Sequence, residues 1–222
     1  MARKYSEALN DLEVEKKSEK DLVSEADVAI EQYLRKQISS HYPDHGILGE
    51  EEGEVIGNNS EYRWIIDPID GTASFLHGQP FYSISIAIEK EGELYLAAIY
   101  GPALNELFMA TKGQGATLNG CPIKVSTEKS MTSAIYATGF ACLRSNLKHN
   151  NLPYLTTLLP QIQDIRRYGS AALDLCFVAA GRVEGFWELN LNIYDVAAGI
   201  LIVREAGGIV SDFSGNEKID GQ

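Results

Sequence analysis

Cysteine is scarce in this chain of 222 residues: Cys121, Cys142 and Cys176 make an odd number and show no CxxC or Cys/His spacing. That excludes a disulfide framework and a zinc knuckle, and a reducing cytoplasm is the expected compartment. The four histidines, His41, His45, His77 and His149, share no metal-ligand spacing and read as surface or loop residues. No stretch approaches the roughly 18 apolar residues of a membrane span. Arg3 and Lys4 near the start have no apolar stretch behind them, so no secretory leader is expected. Positive charge is in deficit, with 19 Lys and Arg against 31 Asp and Glu and a net charge of -12. A sequence-independent grip on nucleic acid would work against that repulsion. The same charge opposes a phosphorylated metabolite unless bound cations neutralise the nearest carboxylates, which is a first hint of metal.

What is present is a globular α+β pattern in which 45% of residues are hydrophobic, enough for a substantial core. Ser24, then Glu25 to Asp27, then Val28, Ile30, Tyr33, Leu34 and Ile38 at helical spacing predict a capped amphipathic helix ending near Pro43. Gly46 to Glu50 reads as a short turn and strand. Arg63 to Ile66 is an apolar strand expected to stop at Asp67-Pro68, with Asp67 exposed at its tip. From Phe81 to Val125, alternation punctuated by Glu91-Gly92 and Asn119-Gly120 predicts an antiparallel meander. A second unit then holds a strand over 134–138, a helix near 152–159 and a strand near 163–168. Two helices follow, one capped by Ser170 and ending at Gly181, the other opening at Asp195 and ending at Gly207-Gly208. This predicts helices packed on two sheets, the first antiparallel and the second mixed, with subdomains over 1–128 and 129–222.

The most informative segment is Asp67-Pro68-Ile69-Asp70-Gly71-Thr72. Two carboxylates across a rigid Pro-Ile step can point into one cleft, and oxygen ligands suit a hard cation such as magnesium. Gly71 lets the chain turn into a short helix whose first amides can meet an anion. On the pattern alone, a strand end followed by an Asp-Gly turn explains the same residues. Glu50 follows apolar Ile47-Leu48 in an otherwise acidic loop, and Asp195 heads an apolar helix, where aspartate commonly serves as an N-cap.

The run from Trp64 to Phe75 resembles the first signature of the magnesium-dependent inositol monophosphatase family. Tyr194 to Gly199, continuing to Gly208, resembles the second, and Asp21 to Asp27 and Gly49-Glu50-Glu51 match two further family segments in order. The resemblance covers about residues 16–208 and implies a layered αβαβα sandwich of the inositol monophosphatase and fructose-1,6-bisphosphatase type. It implies hydrolysis of a small phosphate monoester, most simply inositol monophosphate or a related polyol or sugar phosphate, by a metal-activated water. Glu50, Asp67, Asp70, Asp195 and the Ile69 carbonyl would hold two or three magnesium ions. Thr72, oriented by Asp27, would help Glu50 activate the water. Gly71 and Thr72 would hold the phosphate, with Asp70, Ala171 and Glu188 beside the substrate. A homodimer is also implied.

Other readings compete. Asp70-Gly71-Thr72 is shared with the tail of the haloacid dehalogenase nucleophile motif, but Asp67 and Asp70 are three apart, not two, and no Asp-Asp pair lies downstream. A catalytically silent relative that binds a partner is a second rival, which the complete ligand set opposes. Fructose 1,6-bisphosphate, histidinol phosphate and phosphoadenosine phosphate are alternative substrates. Lys16 is left as a surface charge, and Asp174 and Arg167 are either pocket residues or a structural ion pair. Phe140 stands where some family members place a polar residue. Against the family the chain is short at both ends, so exposed apolar edges are expected.

Overall fold

The computed structural model describes residues 1–9, 12–18, 21–58 and 61–217; the end of the charge run over 15–20 lies outside them. A short helix α1 (Ala2–Ser6) precedes the hairpin β1 (Val14–Ser18) and β2 (Asp21–Ser24). Helix α2 (Glu25–His41) follows as expected, its first turn closed by a capping box in which the Ser24 amide donates to Asp27 Oδ2 at 2.9 Å. The large sheet contains β3 (Gly46–Gly49), β4 (Gly53–Val55), β5 (Tyr62–Asp70), β6 (Ser83–Lys90), β7 (Glu93–Gly101), β8 (Glu106–Thr111), β9 (Ala116–Leu118) and β10 (Cys121–Ile123). Its order is β10-β9-β8-β7-β6-β5-β3-β4. The meander runs as the turn chemistry predicts: Glu91-Gly92 and Asn119-Gly120 all take positive φ, the geometry of tight hairpin turns.

Two expectations for this sheet are corrected. It is mixed rather than antiparallel, because β3 turns back through β4 and then lies parallel to β5. The strand bearing Asp67 also does not stop there. Its ladder with β6 breaks after Asp67↔Ser85 and resumes at Asp70↔Ser83, so Pro68, which has no N–H to give, occupies an irregularity inside β5. Asp67 is therefore 1% exposed within the sheet instead of standing at an exposed tip.

After β5 comes the short helix α3 (Thr72–Leu76). The second unit adds β11 (Ile135–Thr138), α4 (Ala141–Arg144), α5 (Leu152–Leu158), β12 (Asp164–Arg166), α6 (Ala171–Ala179), β13 (Gly185–Trp187) and α7 (Ile193–Glu205). The described strands of this small sheet, ordered β12-β11-β13, are parallel rather than mixed, because each is joined to the next through a helix. Ser170 caps α6 by accepting from the Leu173 amide at 3.2 Å. Helix α7 begins two residues before Asp195. Its N-cap is Asn192, and Asp195, the third residue of the helix, closes the capping box.

Helices α6 and α7 form the middle layer between the two sheets. Ile65, Ile99 and Phe108 of the large sheet share one buried cluster with Leu173 of α6 and Ile202 of α7. On the other face, α2 and α3 pack Ala26, Ile30 and Phe75 against Ile69 and Tyr82. Among the described residues no helix is long and apolar enough to cross a membrane. In the segment after α7, Ile209 and Phe213 are exposed.

The α6–α7 contact is close because Gly199 has no side chain: a Cβ there would lie 2.5 Å from Leu175 Cδ1. Helix propensity alone favours Gly199→Ala by about 1 kcal/mol, but crowding of this kind costs about 1–3 kcal/mol. Urea denaturation of Gly199→Ala should therefore show a net loss of stability; a gain would mean that α6 and α7 are less tightly apposed.

Candidate active site

Residues three apart on a regular strand face opposite sides of a sheet. The irregularity at Pro68 cancels that alternation and turns Asp67 and Asp70 into the same cleft. Asp195 reaches it from the first turn of α7, and oxygens of Asp67, Asp70 and Asp195 all lie within 4.8 Å of one another. Glu50 follows β3, whose Gly49 is paired with Ile66 of β5, and the Glu50 amide donates to the Ile66 carbonyl at 3.2 Å. Its side chain lines the same cleft, outside the close trio. The cleft, of about 230 Å³, is also lined by Ile69, Gly71, Thr72, Ala171 and Glu188, so every residue expected to touch metal or substrate reaches it.

Gly71 takes φ +91°, and a Cβ there would fall 2.8 Å from the Gly169 carbonyl oxygen and 2.9 Å from that of Phe81. Only glycine fits that turn, after which α3 starts with amides that have no intrahelical acceptor. Thr72 Oγ1 lies 3.2 Å from Asp27 Oδ1 and 3.1 Å from the Ile69 carbonyl oxygen. Asp27, fully buried, also accepts from the Ser24 amide at 2.9 Å and its hydroxyl at 2.5 Å. Asp27 thus stands behind Thr72 rather than in the cleft.

Asp70 docks on the start of α6. Its Oδ2 accepts from Ser170 Oγ at 2.5 Å and the Ala172 amide at 2.7 Å, and its Oδ1 from the Ala171 amide at 3.3 Å. Asp195 Oδ2 accepts from the Asn192 amide at 2.6 Å. Asp67, by contrast, has a buried Oδ1 with no hydrogen-bond partner among the described residues.

These differences appear in the electrostatics. Burial, then the charges of Glu50, Asp70 and Asp195, push Asp67 well above the usual carboxylate range. Burial raises Asp70 to about 6, held there by the bonds from Ser170, Ala172 and Ala171, and raises Asp195 to about 8, with the charge of Asp70 as the next cause. An orphaned oxygen and three crowded carboxylates form an all-oxygen donor set short of positive charge, which fits a hard divalent cation.

Glu188 follows β13, and its Oε1 accepts from the Ala141 amide at 2.8 Å. Gly139 makes room for it, since a Cβ there would lie 1.9 Å from Glu188 Oε2. Gly139 and Ala141 thus border Glu188, and Phe140 is not among the residues that line the cleft. Burial raises its pKa, opposed by the Ala141 bond and the charges of Arg167 and Arg144. Asp174 and Arg167 both line the cleft. Asp174 is raised to about 9, by burial first and then by Asp70 and Glu188. Sequence reasoning passed over Gly139, Arg144 and the Ser170 hydroxyl as partners of the site. Of these only Gly139, a glycine directly after a strand, carried a readable signal.

With this geometry in place, the chain was compared with known proteins. A family model described as the inositol monophosphatase family matches residues 1–221. The Nus factor SuhB of Pasteurella multocida is 43% identical over 209 residues, 94% of this chain and 78% of that protein. The inositol-1-monophosphatase of Rhizobium meliloti is 42% identical over 218 residues, 98% of this chain and 82% of that protein. The crystal structure of extragenic suppressor protein suhB from Bartonella henselae superposes with a TM-score of 0.91 at 42% identity, covering 97% of this chain and 83% of that one.

A carboxyl whose pKa is higher folded than unfolded takes up protons on folding, so its contribution falls as pH rises between the two values. Metal-free protein should accordingly lose thermal stability as pH climbs from about 4 through the values of Asp70 near 6 and Asp195 near 8. The stabilisation by added magnesium should grow over the same range, because the cation binds the ionised form. Melting curves with chelator and with magnesium measure both trends; a metal-free melting temperature that rises with pH would contradict the crowding of these carboxylates.

Proposed function

Because the chain belongs to the inositol monophosphatase family, we propose that it is a magnesium-dependent phosphatase whose substrate is inositol monophosphate or a closely related polyol or sugar phosphate. The observation that carries the reading is the convergence of Asp67, Asp70 and Asp195 within 4.8 Å beside the start of α3. Glu50, Asp67, Asp70, Asp195 and the Ile69 carbonyl are assigned to two or three magnesium ions. Bound magnesium supplies the positive charge that neutralises these carboxylates and the substrate phosphate, and it acidifies the attacking water.

The remaining work falls to the chain itself. The amides of Gly71 and Thr72, at the open start of α3, orient the phosphate. Thr72 donates the hydrogen bond of its hydroxyl to Asp27, which leaves its oxygen to accept a hydrogen bond from the attacking water, and Glu50 takes the proton that the water loses. Glu188 accepts from hydroxyls of the leaving group, with its own position set by the Ala141 amide. Ala171 lines the leaving-group side of the cleft. No covalent intermediate is required.

The working unit in this proposal is a cytoplasmic homodimer, each chain divided into subdomains over 1–128 and 129–222. The name Nus factor on a 43% identical relative favours a second reading, in which the same fold also binds a partner. The assigned ligand set argues that turnover is retained, against a catalytically silent relative that only binds a partner.

A panel of phosphate monoesters assayed with and without magnesium should show metal-dependent turnover, highest on inositol monophosphate or another polyol phosphate. Best turnover on fructose 1,6-bisphosphate, histidinol phosphate or phosphoadenosine phosphate would reassign the substrate, and none at all would favour the partner-binding reading. In the same assay Thr72→Val should lower kcat by roughly a hundredfold with little change in KM. A change confined to KM would remove Thr72 from the proton path.

A further inference from the structure

Glu31 lies in the middle of α2, fully buried, and the functional reading gives it no task. Its carboxylate reaches across to the tight turn between β3 and β4, where Oε2 accepts from the Glu51 amide at 2.8 Å and Oε1 from the Glu52 amide at 3.0 Å. Arg35, one helical turn along, donates its Nε to Glu31 Oε1 at 2.8 Å and an N–H of its guanidinium to the Gly53 carbonyl. The ion pair is buried on both sides, with side-chain exposures of 9% for Arg35 and 0% for Glu31. Space for the carboxylate exists because residue 49 is glycine: a Cβ there would lie 2.1 Å from Glu31 Oε1 and 2.4 Å from its Cδ.

The turn held in this way begins with Glu50. Of its three consecutive glutamates Glu50 lines an already acidic cleft, where like charge opposes its staying, while Glu52 lies 3.5 Å from Arg35 on α2. The Glu31 carboxylate gives the Glu51 and Glu52 amides a charge-assisted acceptor. With the Glu50 amide on the Ile66 carbonyl, the backbone on either side of Glu50 is fixed from two directions.

We propose that Glu31 is a positioning residue that holds Glu50 in the cleft, so that α2, a helix behind the sheet, sets the affinity of the site for its metal. Arg35 is its anchor. The assignment rests on the reading of Glu50 as a magnesium ligand. Removing an outer partner of a metal ligand weakens metal binding about 10- to 100-fold.

The test compares wild type, Glu31→Gln and Glu31→Asp, with Ile30→Val as a variant that perturbs the neighbouring position of α2 and leaves the turn alone. Metal-free protein is melted across a magnesium titration, and hydrolysis of a phosphate monoester is followed over the same concentrations. Both Glu31 variants should need about tenfold or more magnesium for half of the thermal stabilisation and for half-maximal turnover, with kcat near wild type once saturated. Ile30→Val should lose stability at an unchanged magnesium midpoint. Should Glu31→Gln not fold, Glu31→Asp carries the comparison, since it keeps the charge but draws the oxygens back from the amides. Unchanged midpoints in the Glu31 variants beside a magnesium-responsive wild type would overturn the role of Glu31 alone. A wild type whose melting and turnover ignore magnesium would overturn the functional reading, and this inference with it.

Discussion

Crowding of like charge governs this molecule. Asp67, Asp70 and Asp195 are brought together with Glu50 at a place where burial already disfavours ionisation. No residue would settle there by attraction. They are held by the surrounding fold, and the extent of that hold differs among them: Asp70 is secured by three donors at the start of α6, Asp195 by its own helix cap, and Asp67 keeps an oxygen with no hydrogen-bond partner among the described residues. The free energy stored in that arrangement is released when a divalent cation binds, so metal affinity and fold are two aspects of one constraint.

The elements that impose it are short and local. One proline inside β5 turns the chain so that two aspartates share a face, and one glycine after them allows the turn into α3. The middle helical layer does the rest, since α6 meets Asp70 and α7 carries Asp195 while both bury their apolar faces against the large sheet. A site assembled from β5, α6 and α7 exists only when the layers are packed. This is why so much of the buried core lies directly behind it.

Much of this was legible in the residues. The helix after Ser24, the meander with its Glu91-Gly92 and Asn119-Gly120 turns, and the cap at Ser170 follow from side-chain chemistry that acts over a few positions. Errors arose where tertiary pairing decides. The parallel docking of β3 on β5 leaves no local trace, and β13, three residues long, is too short for alternation to show. Pro68 was read as a stop because proline usually ends a ladder; in β5 the ladder resumes two residues on. The chemistry of the cleft was readable from residue types in Asp67-Pro68-Ile69-Asp70-Gly71-Thr72, whereas the support it takes from the Ser170 hydroxyl and Glu31 joins positions distant in sequence and gains meaning only through contact.

The contact between Gly139 and Glu188 has a bearing on how such a protein can diversify. A side chain at 139 and a carboxylate at 188 compete for one volume, and both positions lie away from the strand and helices that present the acidic trio. On the proposed assignment of Glu188 to the leaving group, exchange at this pair reshapes the end of the cavity that meets the departing alcohol, so that one hydrolytic engine is fitted to different alcohols by altering two residues 49 positions apart.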